Sequence, residues 1–408
     1  MKRLLSICLS LCIMVSVFVS FDITASAKTN LKKTTVSASN ISNGINVSWK
    51  KVSGAKSYKV YRKAPGAKKY SAVKSTNNKT VKYLDKKVSA GKTYSYQVVA
   101  VKGKETSKSK AKSITRLLAP KNLKIQSYAS KTDCTIDYNA ILNGKYDDDF
   151  PIFGVKVTWS KSSYANKYDI YRKQNKGKFE KLDTVGNRNS YIDMDALSGL
   201  TYQYKVVARK NSSQSASTIS RSMVYLSPAT IVASPITSGM RISWESVEEG
   251  SGYKLYRSPN GKNGTYSLIG NFSKNKNTYV DKSANQLGKT YYYKIVVYKG
   301  SATSIGMTTR IKYQGLKTVN VKAGSTDDSI KKFIEQFLKE YNKDAFEKIT
   351  FKDVQKAFKI TSLNSSVAKV SSDYVVTGVT AGKTVKAKIQ ATDGKITEEV
   401  SFILINVN

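Results

Sequence analysis

The stretch Trp49-Lys-Lys-Val-Ser-Gly-Ala-Lys-Ser-Tyr58-Lys-Val-Tyr61-Arg62 decides the fold, because it occurs three times. The second copy runs from Trp159 through Tyr168 to Tyr171-Arg172, and the third from Trp244 through Tyr253 to Tyr256-Arg257. In each copy the first Tyr stands nine residues after the Trp, and the Tyr-Arg pair twelve and thirteen after it. The chain has three Trp, and each opens a copy. A spacing kept through three copies marks a repeated structural unit.

Around the first copy, Ile45-Asn-Val47-Ser-Trp49, Tyr58-Lys-Val60 and Tyr94-Ser-Tyr96-Gln-Val98-Val-Ala100 alternate apolar and polar residues. That is the period of half-buried strands. Gly54, Pro65-Gly66, Asn77-Asn78 and Ala90-Gly91 break the chain between them. Short strands, frequent turns and no helical period predict an antiparallel sandwich. The Trp belongs in the core, where such a side chain buries roughly 150–250 Å².

The order Trp, Tyr-x-Val-Tyr-Arg, Asp85, then Gly91-Lys-Thr-Tyr94-x-Tyr96-x-Val98-x-Ala100 resembles a fibronectin type III domain. The likeness is to the lysine-rich kind found in exported bacterial proteins. It repeats at Asp193, Gly199, Tyr202, Tyr204 and Val206, and again at Asp281, Gly288, Tyr291, Tyr293 and Ile295. The resemblance covers about Leu31 to Tyr313. It implies structural tyrosine corners at Tyr94, Tyr202 and Tyr291, and modules that serve as spacers or binders.

The second Tyr of each copy falls on the strand face opposite Tyr58 and Val60. The outward candidates are therefore Tyr61, Tyr171 and Tyr256, with Lys205, Tyr292 and Lys294 on the paired later strand. Arg62, Arg172 and Arg257 join them in one candidate contact surface. Tyr beside Lys or Arg suits glycans or anionic polymers. The same pairs can also serve only to stabilise the sheet.

The formal net charge is +41, and histidine is missing altogether. The first fact predicts salt-sensitive attraction to polyanions. The second removes the commonest general base and metal ligand. Met1-Lys2-Arg3, the apolar run Leu4 to Phe21 and Ala25-Ser26-Ala27 read as a cleaved export signal over residues 1–27. Cys8 and Cys12 lie inside it, so the mature chain keeps Cys134 alone and forms no internal disulfide.

The expected domains follow: fibronectin type III-like units over 28–117, 118–226 and 227–315, then a fourth module over 316–408. The second unit carries an inserted loop with Asp133, Asp137 and Tyr146-Asp-Asp-Asp149. It reads as a solvated acidic loop or a Ca²⁺ candidate, although no Asp-x-Asp-x-Asp-Gly spacing is present. In the last module Ile330, Phe333, Ile334, Phe337, Leu338 and Tyr341 recur at helical spacing. Thr350 and Asp353 predict the capped start of a shorter helix with Phe351, Val354 and Phe358. Ser366-Val-Ala-Lys-Val370, Val376-Thr-Gly-Val379-x-Ala381-Gly and Asp393-Gly394-Lys395 follow. They resemble the second half of a bacterial immunoglobulin-like domain of group 2. The fold class expected is mostly β: three sandwiches, then an Ig-like module with a helical insertion.

No Gly-x-Ser-x-Gly elbow, phosphate loop or Cys/His zinc pattern occurs. Asp193 with Asp195 and Glu398 with Glu399 read as surface charge. The expectation is a non-enzymatic secreted or cell-wall-associated protein with no cofactor or metal, and no membrane span after signal removal. It would bind an anionic cell-wall polymer or glycan, with other surface proteins as further partners. The alternative is an enzyme or accessory acting on extracellular polysaccharide through its C-terminal module.

Overall fold

The computed structural model describes residues 31–135, 151–344, 347–392 and 397–408. Residues 1–27, expected to be an export signal, Asp137, the Tyr146–Asp149 acidic run and Asp393-Gly394-Lys395 lie outside them. No helix among the described residues is long and apolar enough to cross a membrane.

Each repeat is a two-sheet sandwich. In the first, strands Val36–Ile41, Gly44–Trp49 and Lys82–Asp85 form a three-stranded sheet. Against it lie Ser71–Asn77, Ser57–Lys63, Thr93–Lys102 and Glu105–Lys108, with Lys112–Thr115 also on Thr93–Lys102. The second and third repeats have the same strand order around Phe153–Ser160, Lys167–Gln174 and Thr201–Lys210, and around Gly239–Trp244, Gly252–Ser258 and Thr290–Lys299. This is the tandem fibronectin type III-like architecture.

The alternation seen in the sequence is what fills the cores. Ile45, Val47 and Trp49 point in from one sheet, and Tyr58, Val60, Tyr96, Val98 and Ala100 from the other. Each Trp tilts on its Tyr with ring centroids 5.6, 5.4 and 5.6 Å apart in chain order. The phenol of that Tyr accepts a backbone N–H from the loop between Trp and Tyr, from Val52, Ser162 or Val247, at 2.7–2.9 Å. The quoted stretch therefore closes on itself in every copy.

The described chain forms two compact units. One is the first repeat with residues 209–216, whose Ser213 Oγ accepts from Thr115 N–H at 2.9 Å. The other comprises the rest of the second repeat, the third repeat and the C-terminal module.

Within that larger unit, residues 132–135, at the described start of the inserted segment, lie along strand Met307–Lys312 of the third repeat. Cys134 N–H donates to Thr308 O, and Thr308 N–H to Thr132 O, both at 2.7 Å. The C-terminal module has one sheet of Thr318–Val321, Thr397–Val407, Lys383–Thr392 and Phe358–Ser362, its first pair parallel. A second sheet holds Thr326–Asp327, Val376–Gly378 and Ala368–Val370. Helices α1 (Ser329–Asp344) and α2 (Phe351–Ala357) lie between strands in sequence.

Both predicted helices are present, but their apolar stripes split. Ile330 and Leu338 are buried and Ile334 partly so. Phe333 and Phe337, on the neighbouring face, are 41% and 45% exposed. Phe358 does not continue α2. It opens the next strand and is exposed.

The module and the third repeat share a core. Phe402 is fully buried in the third repeat's cluster, its ring 5.4 Å from Tyr313. Lys386 lies over both rings at 5.0–5.1 Å and donates to the Tyr313 hydroxyl at 2.9 Å. Glu398 is exposed, the surface charge expected of it, while Glu399 is half-buried. Glu398 pairs with Arg241, and Glu399 accepts from Thr237 N–H at 2.6 Å and from its hydroxyl at 3.0 Å.

Candidate binding faces on the repeats

The outward face of each repeat rests on a buried polar centre that the strand pattern did not reveal. Asp85, Asp193 and Asp281 are 0%, 1% and 4% exposed. Asp85 accepts from Tyr96 Oη at 2.9 Å and from Arg62 Nη1 at 2.9 and 3.1 Å. Tyr204 and Arg172 do the same to Asp193, and Tyr293 and Arg257 to Asp281. A backbone N–H two residues on completes each carboxylate shell. Burial alone would raise the Asp281 pKa, but bonds from Ser283, Arg257 and Tyr293 outweigh it and hold the group below its ordinary value. Burial lowers the arginine pKa values, but the hydrogen bond and charge of Asp85, Asp193 and Asp281 outweigh it and raise Arg62, Arg172 and Arg257.

This corrects two expectations. Asp193 is core, not surface charge. Arg62, Arg172 and Arg257 do not share the outward face with the tyrosines. Four residues beyond Tyr58 an arginine returns to the inner side, and there an ion pair holds it. The tyrosine corners stand as read: Tyr94, Tyr202 and Tyr291 each accept the N–H of the residue five before, at 2.9, 2.8 and 3.3 Å.

The outward tyrosines lie half-buried on the open side of the larger sheet. Lys205 Nζ stands 4.0 Å from the Tyr171 ring centroid and 5.0 Å from Phe179. Lys294 stands 4.7 Å from both Tyr256, its ladder partner, and Tyr266. In the first repeat Gln97 faces Tyr61, while Tyr70 bonds Ser95 and lies under Lys108. Tyr292 is on the same face as Lys294 but leans on the turn at Gly261 (φ +74°), where a Cβ would meet its ring at 2.5 Å. Two repeats thus fix an ammonium between two rings. That offers charge and flat apolar surface together, each contact worth about 0.5–1 kcal/mol when exposed.

Tyr70, Phe179 and Tyr266 went unnoticed in the sequence. They follow the outward Tyr by nine, eight and ten residues, because the turns between differ in length. An aromatic before every fourth strand was the available signal.

Cys134 is half-buried against the third repeat's core, and burial pushes its thiol pKa up. Among the described residues no group of three or more His, Cys, Asp or Glu is placed to hold a metal.

No family model matches the chain, and no curated protein does. Among solved structures, a two-domain fibronectin type III segment from chicken tenascin is similar at 18% identity. It covers 47% of this chain and 98% of that one, with a TM-score of 0.26. The chicken CNTN1 FN1–FN3 domains are similar at 14% identity, over 69% and 99%, with a TM-score of 0.20.

Proposed function

We propose that this is a non-catalytic, modular protein, secreted or associated with the cell surface, whose basic repeats bind anionic cell-wall polymers or glycans. The observation that carries the reading is the lysine held between two rings on the outer faces of the second and third repeats. The charge of +41 supports it, since a polyanion loses counterions on such a surface. The first 27 residues act as the export signal in this reading, and the C-terminal module is a helix-bearing relative of bacterial group 2 Ig-like domains.

The test is cosedimentation of the mature chain with purified anionic cell wall across a salt series. Binding at low salt and release near about 1 M salt are expected. The Lys205→Ala, Lys294→Ala double variant should release at lower salt. Pull-down indifferent to salt would defeat the proposal.

A further inference from the structure

At one end of the third repeat, Arg257, Ser267, Ser283, Lys289, Thr290 and Tyr291 line a cavity of about 290 Å³. No carboxylate lines it. Arg257 differs here from its counterparts. Arg62 and Arg172 lie over their corner tyrosines, 5.7 and 5.8 Å from the ring centroids of Tyr94 and Tyr202. In the third repeat Lys289 takes the face of Tyr291, at 5.5 Å. The Arg257 side chain is 35% exposed, against 21% and 18% for the other two.

Nη1 makes the Arg257 hydrogen bonds to protein, to Asp281 Oδ2 at 2.7 Å and Ser283 Oγ at 2.6 Å. Among the described residues Nη2 and Nε make no hydrogen bond, which leaves their N–H groups for another acceptor. Thr93, the counterpart of Thr290, shares its hydroxyl with Thr115 at 2.9 Å. Thr290 and Ser267 make no side-chain hydrogen bond among the described residues. Asp281 balances the Arg257 charge, so Lys289 supplies the uncompensated one.

We propose that this cavity takes one oxyanion group, phosphate or carboxylate, of the polymer that the basic repeats hold. It rests on the polyanion reading and gives it a defined subsite. The guanidinium offers two donors to two oxygens, Lys289 adds a point charge, and the hydroxyls complete the shell. The second repeat is an internal contrast. Leu200, Glu180 and Asp195 stand where the third has Lys289, Ser267 and Ser283, and the two carboxylates would repel an anion.

The experiment uses the full mature chain. Its amide spectrum is titrated with inorganic phosphate and, separately, with galacturonate. Saturable shifts at Lys289 and Thr290 are expected with at least one, and the one that saturates names the oxyanion. Ser267→Glu should abolish them. With polyphosphate and polygalacturonate as polymers, Lys289→Ala should weaken the matching one about five- to tenfold. Lys276→Ala, an equal loss of charge away from the cavity, should weaken it less than about twofold. The subsite is refuted by unshifted amides in both titrations, or by equal effects of the two lysine variants. Salt-independent polymer binding would instead overturn the wider reading, and the monomer titrations would still judge the cavity.

Discussion

Asp281 gathers Tyr293, Arg257 and Ser283 onto one buried carboxylate, and the other two repeats build the same centre on Asp85 and Asp193. Replacing Asp281 with Asn leaves the cation half-buried without its counter-charge. A loss of about 2–3 kcal/mol is expected in urea unfolding, less than for a fully buried pair because Arg257 reaches solvent. The pH dependence has a definite sign. A carboxylate whose pKa is lower when folded contributes stability above its unfolded value and loses it as pH falls below. Stability of the third repeat should therefore drop below about pH 3.8, and Asp281→Asn should flatten that slope.

The tyrosine side has the opposite edge. Burial first, then the nearby Asp, raises Tyr96, Tyr204 and Tyr293 above 10.0. Their contribution is whole below pH 10 and falls as pH rises beyond it. Tyrosinate absorbance should show these three titrating only as the repeats unfold; reversible ionisation of all tyrosines near pH 10 in the folded protein would contradict this. The sequence made Trp49 and Tyr58 legible as core and Tyr61 as outward, since a period of two decides both. The same period puts Arg62, four residues beyond Tyr58, on the inner side; what the sequence hid is the ion pair that holds a charge there, because Asp85 comes from the other sheet, more than twenty residues away.

At the level of elements, α2 is set by its first turn. Thr350 Oγ1 accepts from Asp353 N–H at 3.2 Å while Asp353 Oδ2 accepts from Thr350 N–H at 3.0 Å. Thr350→Ala should cost the module about 1 kcal/mol and Thr350→Ser little, measured by amide exchange across 351–357. Equal protection in both variants would show that packing of Phe351 on Tyr374, 5.7 Å between centroids, governs the helix instead. This capping box was readable because it is local. The placement of Phe333 and Phe337 was not. A stripe of six apolar residues is wider than one helix face, and which edge meets the sheet depends on a docking angle set elsewhere. The lysine clamps lie between these cases. Alternation gave Tyr171 with Lys205 and Tyr256 with Lys294, but the second ring arrives from a neighbouring strand through a turn of variable length.

In the molecule as a whole, the third repeat and the C-terminal module are joined through a shared core. Phe402 belongs to the module's strand Thr397–Val407 yet is buried among the repeat's residues. Leu316 N–H donates to its carbonyl at 2.7 Å, so the linker is also pinned to that strand. Such a joint couples unfolding. Opening the repeat exposes Phe402 and frees Lys386, and opening the module removes one wall of the repeat. Strands Thr290–Lys299 and Thr397–Val407 should therefore exchange their slowest amides with the same free energy. Phe402→Ala deletes the ring at the seam and should cost about 3–5 kcal/mol. It should also uncouple the two: the module's amides would then open at lower free energy while those of Thr290–Lys299 keep most of their protection. If both sets fell together by the same amount, the polar contacts of Glu398, Glu399 and Lys386 would be holding the joint without Phe402, and the shared-core account would be wrong.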